Sequence, residues 1–549
     1  MRNNLLYNKN KLRLAVSAAG KLGNTRVRQT LETQYPQGPW ELRYTARQRE
    51  DNASSQVSAD YDLTPRTLVG VQYAGSYAAP TSRDYTTINI LSPRKSIDSL
   101  LINNGVRRVN TSSHSYNAHL VTVLDTLQRK ISFDSDYFRY SSKIDNGFVA
   151  ESFSPDGNFL NTNLAARNIS NQQVNNFSAK ADVEHPLNWL NLSYGAKISL
   201  IDSKSGIQYY NTLVESPVPD PSRSNAFEYR EKTQALYVSG ARKVTAKLSL
   251  ELGLRLEHTH TRGYSATLNQ QNTNEYLKLF PTGFASYKPN ENHSWQATYG
   301  RRVTRPGFNI LNPFRSYINS TSYSEGNPFL QPSFTDNLEL TYAYQAFRTN
   351  AFVGRTADGF GPVFTSFPAT NTLVISRQNY FDEYSYGVGQ SYTASPTAWW
   401  QSQNQLYVLG SKSHFVTDIQ ASPRNSFQLF GSTSNTFTLR KSTKLQVDYT
   451  YSSPFTKGLY RIGYMSGLNL AAKQAVFHDR VQVSVLLNDV FNTNYLKDYT
   501  STVNSVKQVY SENNSSRFVR FSLTYDFGNS QLKAKPRDFG NDDERRRTN

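Results

Sequence analysis

The sequence predicts an all-β protein, a transmembrane antiparallel barrel of about 22 strands with about 21 visible, short periplasmic turns and long extracellular loops. Three observations lead there. Aromatics make up 13% of 549 residues, with 36 Tyr and 30 Phe against 5 Trp, yet mean hydropathy is -0.61. Strands that alternate apolar-out and polar-in produce this pairing of a polar overall composition with many interfacial aromatics. No run approaches the roughly 18 apolar residues of a membrane helix, so any crossing is made by strands. Short polar turns also alternate with long connections rich in Asn, Ser, Gly and Pro, the polarity expected of a barrel in an outer membrane.

Taken in order, residues 8–11 turn between Leu5-Leu6-Tyr7 and the alternating Leu12, Leu14, Val16 and Ala18. Val57, Ala59, Tyr61 and Leu63 alternate, residues 64–67 turn, and Val69, Val71 and Tyr73 resume. Further short turns fall at residues 125–130, 185–189, 242–247, 288–292, 345–349, 395–397, 440–443 and 474–479. The long connections include residues 77–113, 142–175, 202–227 and 261–277. About ten turns plus a terminal strand at 517–527 imply roughly 21 strands, where bacterial barrels have even numbers. If Leu5 to Asn8 end a descending strand, the missing one precedes them. Residues 1–11 also lack the apolar core and cleavage site of a secretory signal, so the chain is expected to be the C-terminal part of a longer one. The expected domains are a barrel over 1–527 and a charged, disordered periplasmic tail over 528–549, which carries Asp542-Asp543-Glu544-Arg545-Arg546-Arg547.

Sixty Lys and Arg against 42 Asp and Glu give a formal charge of +18. The charges form no stripe or helix face and no nucleic-acid module is recognisable, so no nucleic acid is expected as a partner. The phosphate-rich lipid and lipopolysaccharide of an outer membrane fit the charge instead. With no cysteine, disulfides and thiolate metal sites are excluded.

Residues 295–344 carry the most specific pattern. A strand with Trp295, Ala297 and Tyr299 in phase enters a region where Pro306, Pro313, Pro328 and Pro332 each remove a ladder donor. A second strand follows with Leu338, Leu340, Tyr342 and Tyr344 in phase. The motif residues are Arg301, Arg302, Arg305, Pro306, Asn312, Pro313 and Phe314, then Gly326, Asn327, Pro328, Leu330 and Pro332. This two-part run resembles the barrel of a large family of Bacteroidetes outer-membrane proteins related to TonB-dependent receptors. Glu228-Tyr229-Arg230-Glu231, Ala235-Leu236-Tyr237, residues 253–259, Leu279-Phe280-Pro281, Ser286-Tyr287-Lys288 and residues 485–492 are similar to the same family. The resemblance implies uptake of an unidentified ligand across the outer membrane, with loops capturing it and a TonB-driven plug releasing it inward. The alternatives are a non-transporting structural or surface-binding protein and a passive pore. In the family an N-terminal plug engages TonB, and no such segment is in this sequence. Phe527 is the candidate terminal aromatic for the barrel-assembly machinery.

Site chemistry is otherwise sparse. Phosphate loops, nucleophile elbows and His-Glu-x-x-His are missing, so no enzyme, no catalytic residue and no cofactor are expected. His258 and His260 face one side of a strand, but a polar lumen or loop-base role is favoured over a metal site. The motif residues are read as architectural, with ligand contact in a loop as the alternative. Tyr137, Tyr140, Tyr342, Tyr344, Trp399 and Trp400 are read as interfacial girdle residues.

Overall fold

Alternation decides which face of each strand meets lipid. Along Asn225–Lys243, Leu236 is 63% exposed while its neighbour Ala235 is 3% exposed. Along Leu248–Ser265, Leu252, Leu254 and Leu256 are exposed while Glu257 and Thr259 are buried. An exposed leucine row opposite a buried carboxylate is inverted for a protein in water and expected for a barrel in lipid. The computed structural model describes all residues except 320, 368–369, 371, 416–423, 504, 529–536 and 549. No helix among the described residues is long and apolar enough to cross a membrane.

Among the described residues the strands form one sheet of 29. Eight of them are short pieces or hairpin arms in the connections: Thr81–Leu91, Val218–Pro219, Arg315–Asn319, Ser322–Glu325, Phe455–Lys457, Tyr460–Ile462, Leu496–Val503 and Val506–Asn513. The other 21 form the wall, each antiparallel to the next. Ten tight turns join them at one end, such as the step from Lys9 to Leu12 and from Thr64 to Thr67. The turn expected at 395–397 lies slightly later, because the strand runs on to Thr397 and resumes at Trp400.

The long connections differ from expectation. Much of 77–113 and 142–175 is regular strand: Ile97–Val123, Lys130–Phe153 and Phe159–Pro186 are 27, 24 and 28 residues long. Their Asn- and Ser-rich stretches continue the ladder above the membrane, since two-sided polar hairpins satisfy their backbone groups in water as strands do.

Arg2–Lys9 and Phe518–Tyr525 stand at the two ends of the wall, and each pairs on one side only among the described residues. Twenty antiparallel steps separate them, so they run in the same direction and cannot form an antiparallel pair with each other. At the extracellular end the wall is closed by Arg28 to Gln34 pairing with Lys507 to Asn513.

Of the girdle aromatics, Tyr137, Tyr344 and Trp399 are exposed, and Tyr342 stacks on Trp295 with centroids 4.2 Å apart. Tyr140 is a correction: it lies against buried Val174, Ile201 and Phe308, because it is three residues from outward Tyr137 and so on the opposite face.

Placing Arg at Leu236, on the lipid face, should destabilise the barrel by about 2–4 kcal/mol, whereas Ser239→Arg, facing the lumen cavity, should cost under about 1 kcal/mol. Urea unfolding in lipid vesicles, read by the shift in electrophoretic mobility between folded and unfolded barrel, checks this contrast.

Candidate functional site

The motif loop folds into the barrel. The ladder between Gln270–Asn290 and His293–Thr304 stops at Thr282 and Gly300, while His293–Thr304 stays paired to Ser333–Tyr344 up to Thr304 and Ser333. The upper part of this strand pair therefore leaves the wall. It packs over the inner face of its former neighbour, with Phe334 6.3 Å from Phe280 and edge-on to Tyr276. Beyond it, Phe308 fills a niche of Val174, Ile201, Tyr140 and Tyr229, and Leu311 and Leu330 pack against Phe227.

Each motif residue has a place in this arrangement. Arg301 stacks on Phe334, 5.6 Å from its centroid, with Nε 4.0 Å from Asp336. Arg302 faces a lumen cavity and has no ion pair among the described residues. Arg305 pairs with Glu257 and lies 3.7 Å from Glu231. Asn312 accepts a hydrogen bond from Asn225 at 3.1 Å and donates to Ser205 at 3.2 Å. Asn327 donates its side-chain amide to the Arg377 carbonyl at 2.9 Å and its backbone N–H to the Ile310 carbonyl at 2.8 Å. The Pro328 carbonyl accepts from Asn272. Pro306, Leu330 and Pro332 are buried, and Pro313 and Phe314 half-buried. At Gly326 a Cβ would sit 2.2 Å from the Asn312 carbonyl oxygen, so the close approach of the two motif halves requires glycine there.

The loop meets a chain of alternating charge. Arg255 donates to Glu257 at 2.7 Å, Glu257 pairs with Arg305, Arg305 approaches Glu231, and Glu231 accepts from Arg547. The Glu231 and Arg547 side chains are 3% and 8% exposed. Ions this buried persist only when paired and hydrogen-bonded.

Arg547 belongs to the tail, which corrects the expectation of disorder for residues 537–548. The tail runs along the inner wall: Arg537 binds Asp134 at 2.7 and 2.9 Å, Asn541 donates to Asn176 at 2.9 Å, and Lys197 donates to Glu544 at 3.0 Å. Asp542–Arg546 form a short helix. A run of charges is solvated when alone, but here Arg537, Glu544 and Arg547 each find an opposite charge projecting inward from a wall strand, and Arg545 pairs with Asp542 within the segment. Burial pulls the Arg547 guanidinium down, but Glu231 outweighs it and holds it above its ordinary range.

Two cavities flank these elements. One of about 900 Å³ lies in the lumen, lined by Lys197, Arg255, Arg301, Arg302 and Arg305 against Glu231 and Glu257, and by Asp543, Glu544, Arg546 and Arg547 of the tail. The other, about 590 Å³, lies among the extracellular hairpins; Tyr35, Trp40, Tyr44, Phe364, Tyr460, Tyr499 and Tyr510 contribute to a lining without a charged side chain. Tyr460 and Tyr499 stack there at 4.6 Å and 14°.

His258 and His260 lie on the outward face with Leu254 and Leu256. Glu275, across the ladder, meets them at 2.7 and 4.0 Å. Among the described residues no group of three His, Asp or Glu is arranged to hold a metal ion.

The model of the Outer membrane protein beta-barrel family matches residues 123–525. The chain belongs to that family. It is an outer-membrane β-barrel. Among solved structures it is similar to the Copper transporter OprC, with a TM-score of 0.57 and 12% identity over 91% of this chain and 81% of that one. It is also similar to the siderophore receptor PiuA from Acinetobacter baumannii, at TM-score 0.49 and 11% identity over 91% and 86% of the two chains. At 12% identity the likeness to OprC speaks to the fold alone. No curated protein matches the sequence.

Sequence reasoning missed Glu231, Glu257 and Phe308 as lumen groups of this family barrel. The two-residue period puts Tyr229 and Glu231 on one face, which was a usable signal. Arg547 gave none, because its partner is 316 residues away.

Arg305→Ala removes one of two guanidinium partners from Glu257 and one from Glu231, leaving Arg255 and Arg547 in place, and should cost about 1–3 kcal/mol, while Arg302→Ala should stay within about 0.5 kcal/mol. Denaturation midpoints of the two variants in vesicles read the difference.

Proposed function

We propose that this outer-membrane barrel is a ligand-capturing uptake receptor, similar in mode to TonB-dependent receptors. One observation carries the reading: a ligand-sized, aromatic extracellular pocket stands above a lumen obstructed by the motif loop and the C-terminal segment. Pockets of roughly 300–1,000 Å³ suit small ligands, and a wide barrel serving as a passive pore has no use for such an obstruction. The motif residues act in this reading as the architecture that folds the loop inward, and the ligand is met by the extracellular aromatics. Coupling to TonB would run through a plug, a segment the 549 residues do not contain.

Purified protein in planar bilayers should show no steady large conductance at rest; a porin-like steady current replaces the receptor reading with the passive pore. Small molecules that copurify with the wild type should be lost from Tyr499→Ala. The same compounds should accumulate inside cells expressing the wild type, and binding without accumulation favours the non-transporting surface protein.

A further inference from the structure

The Arg547 guanidinium occupies a site built entirely by other parts of the chain. Glu231, on the wall strand Asn225–Lys243, accepts from Nη1 through both carboxylate oxygens at 2.9 Å. The Pro306 carbonyl accepts from Nε at 3.0 Å. The Phe308 ring offers its face, with its centroid 4.3 Å from the guanidinium carbon. Tyr229 donates its hydroxyl to Glu231 Oε2 at 2.7 Å and so fixes the carboxylate. The site combines a carboxylate, a carbonyl acceptor and an aromatic face. A planar, delocalised cation with several donors satisfies all three together, and a compact ammonium does not.

The site also opens on space. Glu231, Arg305 and Arg547 line the 900 Å³ lumen cavity, so a soluble molecule in the lumen can reach the carboxylate that Arg547 now covers. The receiving half belongs to the wall and the motif loop. The occupying half belongs to a segment held to the wall by discrete ion pairs at Asp134 and Lys197.

We propose that Glu231, the Pro306 carbonyl and the Phe308 ring form a guanidinium-binding site in the lumen, which takes the arginine side chain of a peptide ligand and which Arg547 occupies in that ligand's absence. This assignment rests on the lumen geometry and not on uptake, so it stands or fails independently of the conductance and accumulation experiments. Arg547 then acts as a built-in competitor that a peptide ligand must displace.

The test uses the full chain, purified and refolded or extracted as a barrel, with argininamide as the probe and equilibrium dialysis as the readout. Arg547→Ala should bind argininamide about tenfold or more tightly than the wild type, because the competing occupant is gone. In Arg547→Ala, lysinamide should bind at least about tenfold more weakly than argininamide. Adding Glu231→Gln to Arg547→Ala should abolish the gain. No gain in Arg547→Ala, equal binding of the two amides, or indifference to Glu231→Gln each overturns the proposal. Folding of every variant is checked by heat-modifiable migration. Where Arg547→Ala does not fold, Arg547→Lys replaces it and must still gain over the wild type. Where Glu231→Gln does not fold, Phe308→Leu replaces it and must weaken binding about threefold or more. Failure of either replacement to do so overturns the proposal as well.

Discussion

In a bilayer core there is no water to satisfy a backbone N–H or C=O, and the whole architecture follows from that constraint. It makes every spanning segment a paired strand, and it sets the face of each side chain by the two-residue period. Above the membrane the constraint relaxes, yet the hairpins from Ile97–Val123 to Phe159–Pro186 continue the same ladder. Pairing with a neighbour already aligned costs little further order. The constraint also makes the two ends of the wall conspicuous, where Arg2–Lys9 and Phe518–Tyr525 each present an edge without a described partner.

Inside the wall the governing interaction is electrostatic. Apolar niches seat Phe308, Leu311 and Leu330, but the lumen also carries inward carboxylates and guanidinium groups, so what fills it must match its charges as well. The motif loop does this through Arg305 and the tail through Arg537, Glu544 and Arg547. Both meet at Glu231, which gathers Tyr229, Arg305 and Arg547 around one carboxylate. Truncating such a group leaves unpaired charge behind, so the cluster couples the position of the loop to that of the tail.

The extracellular pocket has the opposite chemistry. Its stacked tyrosines and its lack of charged lining distinguish it from a lumen dominated by arginine. The barrel thus offers two environments in series, an aromatic one facing outward and a charged one below.

The barrel, its ten short turns and the wall of 21 strands were legible in the amino-acid order alone, because alternation and turn chemistry are local and each hairpin declares itself within a few residues. Residues 301–332 could be recognised as a motif for the same reason: its Pro, Asn and Gly positions constrain the nearby backbone directly. The folded chain was needed to show where that loop goes, that Tyr140 faces inward, that Glu275 stands beside His258, and that a tail read as solvated charge lies along the lumen wall. Those outcomes depend on contacts between residues far apart in the chain, such as Glu231 with Arg547. Such a partnership leaves no periodicity in either segment, and it exists only once the sheet has curved to bring inward-facing charges around a common space.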